Sequence, residues 1–423
     1  MNLDKRTLDG SVYDVVVVGA GIMGSATAYA LAKRKQRVLL TEQVSTRSES
    51  RAQPRAEDLT PYLALPLLQF HLGHRRGSSH GSSRIIRKSY STRYYVEMMK
   101  RAFEMWHEAE REACSEVVTM TGGLDFVRRN TLIESKLKDA MRSAGVPFEE
   151  LDAAALRERF KGAFAMPEDS FVCLHSRDAG VVNASKACEM FQCLARSRGA
   201  DIAENCKVSE IDDRGDEGVL LRTADHGTVK ARKVVVTAGA WAKKLLPPLL
   251  GSDLNLSPIN TTVVYWRTKA DRDPRLYQAE SGAPVFIVYA DDNRVLNAYG
   301  TPALEYPGLV KFCLHHGPAT DPDSRLAVPN LEDFDKLKDL TRTFLPNADA
   351  SQHASAEACM YTNTDDEDFV LDVLPGKENI VVGAGFSGHG FKFGPLVGEI
   401  LCSLALGEEP EFSLEPFRVA RFL

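Results

Sequence analysis

The chain has no apolar run long enough to cross a bilayer. Away from the N-terminal strand the longest nearly uncharged stretch is 59–70, which is short and carries Pro61 and Pro66, so no membrane span is expected. Paired C-x-x-C spacing is missing too. The eight cysteines (114, 173, 188, 193, 206, 313, 359, 402) are scattered, which excludes the framework of a small secreted domain, so reduced thiols and no metal are expected. Positive charge is not in excess. With 52 Lys and Arg against 58 Asp and Glu the net charge is −6, and no global field would draw in a nucleic-acid backbone. Residues 1–13 mix Asp4, Lys5, Arg6 and Asp9 with few apolar side chains, unlike the basic-then-apolar order of a secretory leader, so an intracellular protein is expected. Repeats and low-complexity tracts are absent.

What is present is core-forming material: 423 residues, 44% hydrophobic and 26% charged, enough for two domains or one elaborated α/β unit. Residues 13–18 form an apolar, β-branched run that breaks at Gly19-Ala20-Gly21, followed by a helical stretch at 22–33 and a second short run at 37–41. That order is a β-turn-α-β unit. Helices are predicted near 94–114, 131–142, 184–198 and 395–404; the first spaces Tyr95, Met98, Met99, Ala102, Phe103 and Trp106 by threes and fours along one face. Strands are predicted within 207–238 and at 260–267, 285–289, 295–299 and 309–316. The run 379–384 is another buried-type strand entering a glycine turn, so the chain finishes in the domain where it began. Residues 45–76, rich in Arg, Ser, Pro and Leu and without a period, read as an insertion or a disordered loop.

Four constellations carry chemistry. Gly19-x-Gly21-x-x-Gly24 follows a strand and opens a helix, and Glu42 closes the next strand eighteen positions later. The glycines permit a tight turn and close approach of a pyrophosphate to N–H groups at the helix start, while a carboxylate at Glu42 can accept from a ribose. Adenine dinucleotide binding follows, with FAD and NAD both open on this motif. The small-residue turn Gly77-Ser78-Ser79-His80-Gly81 precedes Arg84 and Arg87 and favours a planar flavin, because small residues let main chain come close. Two arginines three apart share a face of a helical turn or take opposite faces of a strand, so their joint action on one ligand is left open. On a strand at 309–316, Lys311 and His315 project from one face beside Cys313, and Tyr299 ends an earlier strand. Lastly, Gly385-Phe386-Ser387-Gly388-His389-Gly390 leads into Lys392, and so many glycines imply main chain against a ligand.

Gly19–Gly24, Gly77–Gly81 with Arg84-Ile-Ile-Arg87, Cys359-Met-Tyr-Thr362 and Gly385-Phe-Ser-Gly-His-Gly-Phe-Lys392 together resemble the sarcosine oxidase and pipecolate oxidase family of flavoproteins, over nearly the whole chain. The resemblance implies an α/β fold in which a Rossmann-like FAD-binding domain of the D-amino-acid-oxidase type (11–95, 177–250 and 366–423) is joined to a substrate domain built on a mixed β-sheet with helices (96–176 and 251–365). It implies FAD bonded covalently through Cys359 to the flavin 8-methyl carbon, and Lys311 near N5 where oxygen reacts. It further implies a carboxylate clamp of Arg87 and Lys392, Arg84 against the flavin, and Tyr299 and His315 as pocket residues. The activity implied is oxidation of small secondary amino acids such as sarcosine or L-pipecolate to an imine, with O2 reduced to H2O2, by a monomer. A dehydrogenase using another acceptor, and a non-catalytic FAD-binding protein impaired by residues 45–76, are the alternatives. Relatives have a shorter connection at 45–76. They also end in a Ser-Lys-Leu-like tripeptide, of which Arg421-Phe-Leu423 keeps the last residue alone, so a peroxisomal location rests on kinship, with the cytoplasm as the alternative.

Overall fold

The computed structural model describes residues 12–43, 76–252, 254–290, 297–325, 329–330 and 334–423. The expected insertion at 45–76 lies outside them, apart from Arg76. Three sheets organise these residues. The strand Val12–Val18 lies at the centre of the first, parallel to Gly227–Val236 on one side and to Val38–Thr41 on the other. Its unbroken β-branched run is explained by burial on both faces. Val15 and Val17 enter a core with the helices Ile22–Lys33, Arg93–Ala113 and Gly394–Leu406, while Tyr13, Val16 and Val18 enter a second core on the far side.

The C-terminal strand Ile380–Ala384 pairs in parallel with Gly227–Val236, so the last segment returns to the sheet that holds the first. Its helix Gly394–Leu406 packs on Ile22–Lys33, which also packs on Ala184–Ser197. Ile22–Lys33 is apolar nearly all round because both its flanks are covered.

The second sheet is eight-stranded and mixed. Its order is Ser355–Asn363, Ser257–Arg267, Leu309–Leu314, Ala298–Thr301, Val285–Tyr289, Gly123–Arg128, Phe171–Ser176 and Glu149–Leu151. Val285–Tyr289 and Gly123–Arg128 run parallel, and the neighbours run antiparallel. Alternation divides it: Val264, Trp266, Val310, Phe312 and Leu314 fill an apolar core that also takes Leu337 and Phe344 of the helix Phe334–Phe344. The residues between them face the other way, where Tyr265 and Cys313 pack with Cys359. A three-stranded sheet, Arg84–Arg87 with Ala179–Val182 and Val118–Met120, completes the set. Among the described residues no helix is long and apolar enough to cross a membrane.

Candidate functional site

A cavity of about 710 Å³ opens at the carboxyl ends of the parallel strands, where Val18, Thr41, Thr237 and Gly385 line it. Four separated segments converge there. Gly19 and Gly21 come from the first turn, Glu42 from the next strand end, and Ser79, His80 and Arg84 from the small-residue turn and its strand. Gly385, Phe386, Ser387, Gly388 and Gly390 come from the C-terminal turn. Gly24 lies just behind, and its role is packing: a Cβ there would stand 1.9 Å from the Gly19 carbonyl oxygen and 2.6 Å from Thr237 Oγ1. Gly19 has φ +100, which favours glycine.

The turn presents main-chain donors to the cavity. Gly21 precedes the helix without a side-chain cap, and the positive end of the helix faces the same space. The Ala20 N–H donates to Glu42 Oε2 at 3.0 Å, and the Ile22 N–H donates to Ser79 Oγ at 3.2 Å, so two distant segments are tied to the turn. Gln192, which sequence reasoning did not single out, donates from Nε2 to the Ala20 carbonyl at 3.0 Å. Thr362, also missed, lines the cavity with a buried hydroxyl that has no hydrogen-bond partner among the described residues. An unpaired polar group beside glycine main chain fits a large polar cofactor occupying the space.

The inner end of the cavity meets the polar face of the second sheet. Register places Cys359 opposite Thr261, Tyr299 opposite Cys313, and Tyr265 opposite Lys311. Tyr361, two residues beyond Cys359, shares its face and lines the cavity; period-two alternation applied to the Cys-Met-Tyr-Thr string would have found it. Its hydroxyl lies 3.1 Å from that of Tyr299, and the His315 ring stands 5.1 Å from Tyr361 and 5.9 Å from Tyr299. A Cβ on Gly388 would meet both His315 and Tyr361 at 2.6 Å, so the C-terminal turn sits directly on this face. Burial pushes both phenols up, holding them neutral at ordinary pH.

The two arginines lie on a strand and diverge, which settles the choice left open by their spacing. Arg84 lines the cavity and donates to the carbonyls of Ser78 (2.9 Å), His80 (2.7 Å) and Ser83 (2.7 Å), pinning the small-residue turn. Arg87 points elsewhere: its guanidinium lies 4.5 Å from the Tyr90 ring centroid, 3.0 Å from Ser89 Oγ and 4.0 Å from Asp125 Oδ1. Lys392 reaches the same tyrosine. Its Nζ donates to Tyr90 Oη at 3.1 Å and to the His389 carbonyl at 2.8 Å. Burial, then the Arg87 charge, pushes the Lys392 amine well below its ordinary value, and burial raises the Asp125 carboxyl despite Arg87. Lys311, 4% exposed, pairs with Glu305, a partner no motif indicated. Seven of the expected residues (Gly24, Lys311, His315, Tyr299, Arg87, Lys392 and Cys359) are thus not part of the cavity lining.

The layout defines a class: a dinucleotide-binding α/β domain joined to a mixed-sheet domain. A family model described as FAD dependent oxidoreductase matches residues 14–53 and 69–404. Peroxisomal sarcosine oxidase of Mus musculus is 37% identical over 414 residues, covering 97% of this chain and 96% of that one. Probable sarcosine oxidase of Arabidopsis thaliana is 36% identical over 406 residues, covering 95% of this chain and 90% of that one. Among solved structures, NikD, described as an unusual amino acid oxidase essential for nikkomycin biosynthesis, matches with a TM-score of 0.77 at 23% identity, covering 97% of this chain and 98% of that one. The chain belongs to the FAD-dependent oxidoreductases and, within them, to the monomeric sarcosine oxidase family.

Proposed function

We propose that this FAD-dependent oxidoreductase oxidises small secondary amino acids, of which sarcosine and L-pipecolate are the models. The observation that supports this most is the pair of buried basic side chains, Arg87 and Lys392, that meet at Tyr90. One carboxylate between them would receive charge-assisted hydrogen bonds from both, and the two donors would orient the amine-bearing carbon. When bound, FAD supplies the redox chemistry: two electrons and two protons leave the CH–NH unit, giving an imine for water to hydrolyse, and pass to O2 as H2O2.

The remaining residues have roles around that reaction. Gly19 and Gly21 would receive the pyrophosphate at the helix start, and Glu42 the ribose. Ser79, His80 and residues 385–390 would close main chain around the flavin, with Arg84 against it and Tyr299 and His315 walling the substrate side. Lys311 would stabilise negative charge developing on oxygen. Cys359 is the candidate for holding the flavin covalently as a thioether to its 8-methyl carbon; forming that bond would give up one hydrogen from the thiol and one from the methyl group, two electrons and two protons in all, which O2 would take up as H2O2. We further propose that residues 11–95, 177–250 and 366–423 form the FAD-binding domain and 96–176 and 251–365 the substrate domain. We also propose that the enzyme is a monomer and that it works in the peroxisome, as the names of its mammalian relatives suggest for them.

The test is one preparation assayed two ways. Purified protein given N-methyl and cyclic amino acids is expected to release peroxide in step with substrate consumed. Dye reduction without peroxide would make it a dehydrogenase, and no turnover would make it a binding protein. Acid-precipitated protein is expected to stay yellow, and Cys359→Ala to lose that colour to the supernatant while still binding FAD.

A further inference from the structure

A lysine 4% exposed needs a counter-charge or it gives up its proton. Lys311 has one in Glu305, whose Oε1 lies 3.2 Å from Nζ, and Nζ also donates to Ser83 Oγ at 2.9 Å. The side chains of the pair are 5% and 9% exposed. Glu305 is in turn held from two further elements. Ser83, just before the strand Arg84–Arg87, donates to Oε1, and Tyr265, on the neighbouring strand, donates to Oε2. Glu305 thus folds back from the loop between Ala298–Thr301 and Leu309–Leu314 onto a lysine only six residues further on.

We propose that Glu305 is a positioning residue for the oxygen step, holding the Lys311 side chain by a buried ion pair in the place from which it acts on oxygen, without itself touching substrate or cofactor. The proposal rests on the reading of Lys311 given under Proposed function. Groups facing the pair are few: the Tyr265 ring lies 5.9 Å from Lys311 Nζ, Thr301 is opposite it, Cys313 shares its face, and the Arg84 charge acts on Glu305. Glu357 lies further out, bonded to Tyr306 and felt by Tyr265. Among the described residues Glu305 is the sole carboxylate in ion-pair range of Lys311. Burial alone would raise the Glu305 carboxyl, but Lys311 and the hydroxyls of Ser83 and Tyr265 outweigh it and hold it below the usual carboxylate range.

The experiment uses holoenzyme variants Glu305→Gln, Glu305→Asp, Lys311→Met and the double variant E305Q/K311M. In E305Q Lys311 keeps its hydrogen bond to Ser83 but loses its ionic partner, so its side chain is no longer fixed. After anaerobic reduction by substrate, reoxidation by O2 is expected to slow by about tenfold relative to the parent. Flavin reduction by substrate is expected to stay within about twofold of the parent, and E305D to restore part of the oxygen rate. A readout independent of turnover is the visible spectrum of the resting flavin: E305Q is expected to move its bands relative to the parent, and to add no further shift when combined with K311M. A parental oxygen rate and an unmoved spectrum in E305Q, with K311M still slow toward oxygen, would overturn the role of Glu305 alone. Parental oxygen rates in K311M would instead overturn the Lys311 reading. If E305Q fails to load flavin, Tyr265→Phe, which removes one of the hydrogen bonds on Glu305, carries the test: a smaller loss of oxygen rate supports the proposal, and a parental rate overturns it.

Discussion

The turn that opens the cavity and the sheet face at its inner end are built on opposite principles. At the turn, main chain does the work. Six residues, Gly19 to Gly24, bend the chain, present N–H groups and let helix rest on strand, and the Ala20 and Ile22 N–H groups donate single hydrogen bonds to Glu42 and Ser79. At the sheet face Lys311 is buried against Glu305 and Ser83, and two further basic side chains, from the strand Arg84–Arg87 and from the end of the C-terminal turn, are buried in the same manner: Arg87 against Asp125 and Tyr90, and Lys392 against Tyr90 and the His389 carbonyl. The first region depends on side chains that are missing; the second depends on basic side chains keeping specific partners.

The hardest test of that contrast is Gly24→Val. Its new side chain would be driven into the Gly19 carbonyl, which is backbone and has nowhere to move. Overpacking of this kind costs about 1–3 kcal/mol or more. The expected outcome is protein that melts lower and purifies colourless, read from the flavin-to-protein absorbance ratio. Parental flavin content would break the contrast.

Among the buried basic side chains, Arg87→Ala is expected to raise KM for the amino acid by roughly 100-fold, the scale of a lost charge-assisted, bidentate contact. Flavin content is expected to stay parental, since Arg87 does not line the cavity. An unchanged KM would remove Arg87 from substrate binding.

The smallest effect concerns Lys392. With its folded-state value depressed, the amine is neutral above that value, and an incoming carboxylate favours the charged form. Binding therefore takes up a proton. Affinity for a carboxylate inhibitor is expected to be level at low pH and to fall above the free-state value, by at most about tenfold per pH unit. Titration in two buffers of different ionisation enthalpy counts the proton, and Lys392→Met is expected to flatten the profile. A flat profile in the parent would mean that Lys392 binds the carboxylate without changing charge.

Much of the first region was legible in the sequence because its information is local. The strand at 12–18, the helix at 22–33 and the glycine turn lie within about twenty consecutive residues, and each is marked by composition or period. Amphipathic helices were legible for the same reason: the pattern at 94–114 matches Arg93–Ala113 to within a residue at each end. Other elements left weaker marks. The strands Gly123–Arg128, Phe171–Ser176 and Ser355–Asn363 and the helix Phe334–Phe344 were not singled out, because short runs with mixed polarity look alike as strand, helix or loop.

Taken alone, the sequence determined that a dinucleotide turn opens the chain, that a glycine-dense turn follows its last strand, and that Lys311 shares a strand face with Cys313, because each depends on neighbours a few bonds apart. Only the tertiary structure decided that Arg84 and Arg87 part company, that Tyr361 and Thr362 reach the cavity, and that Glu305, Ser83 and Tyr265 gather around one ammonium. Those arrangements join strands and loops from distant stretches of chain, and burial, which sets the charge states there, exists only once the strands have paired.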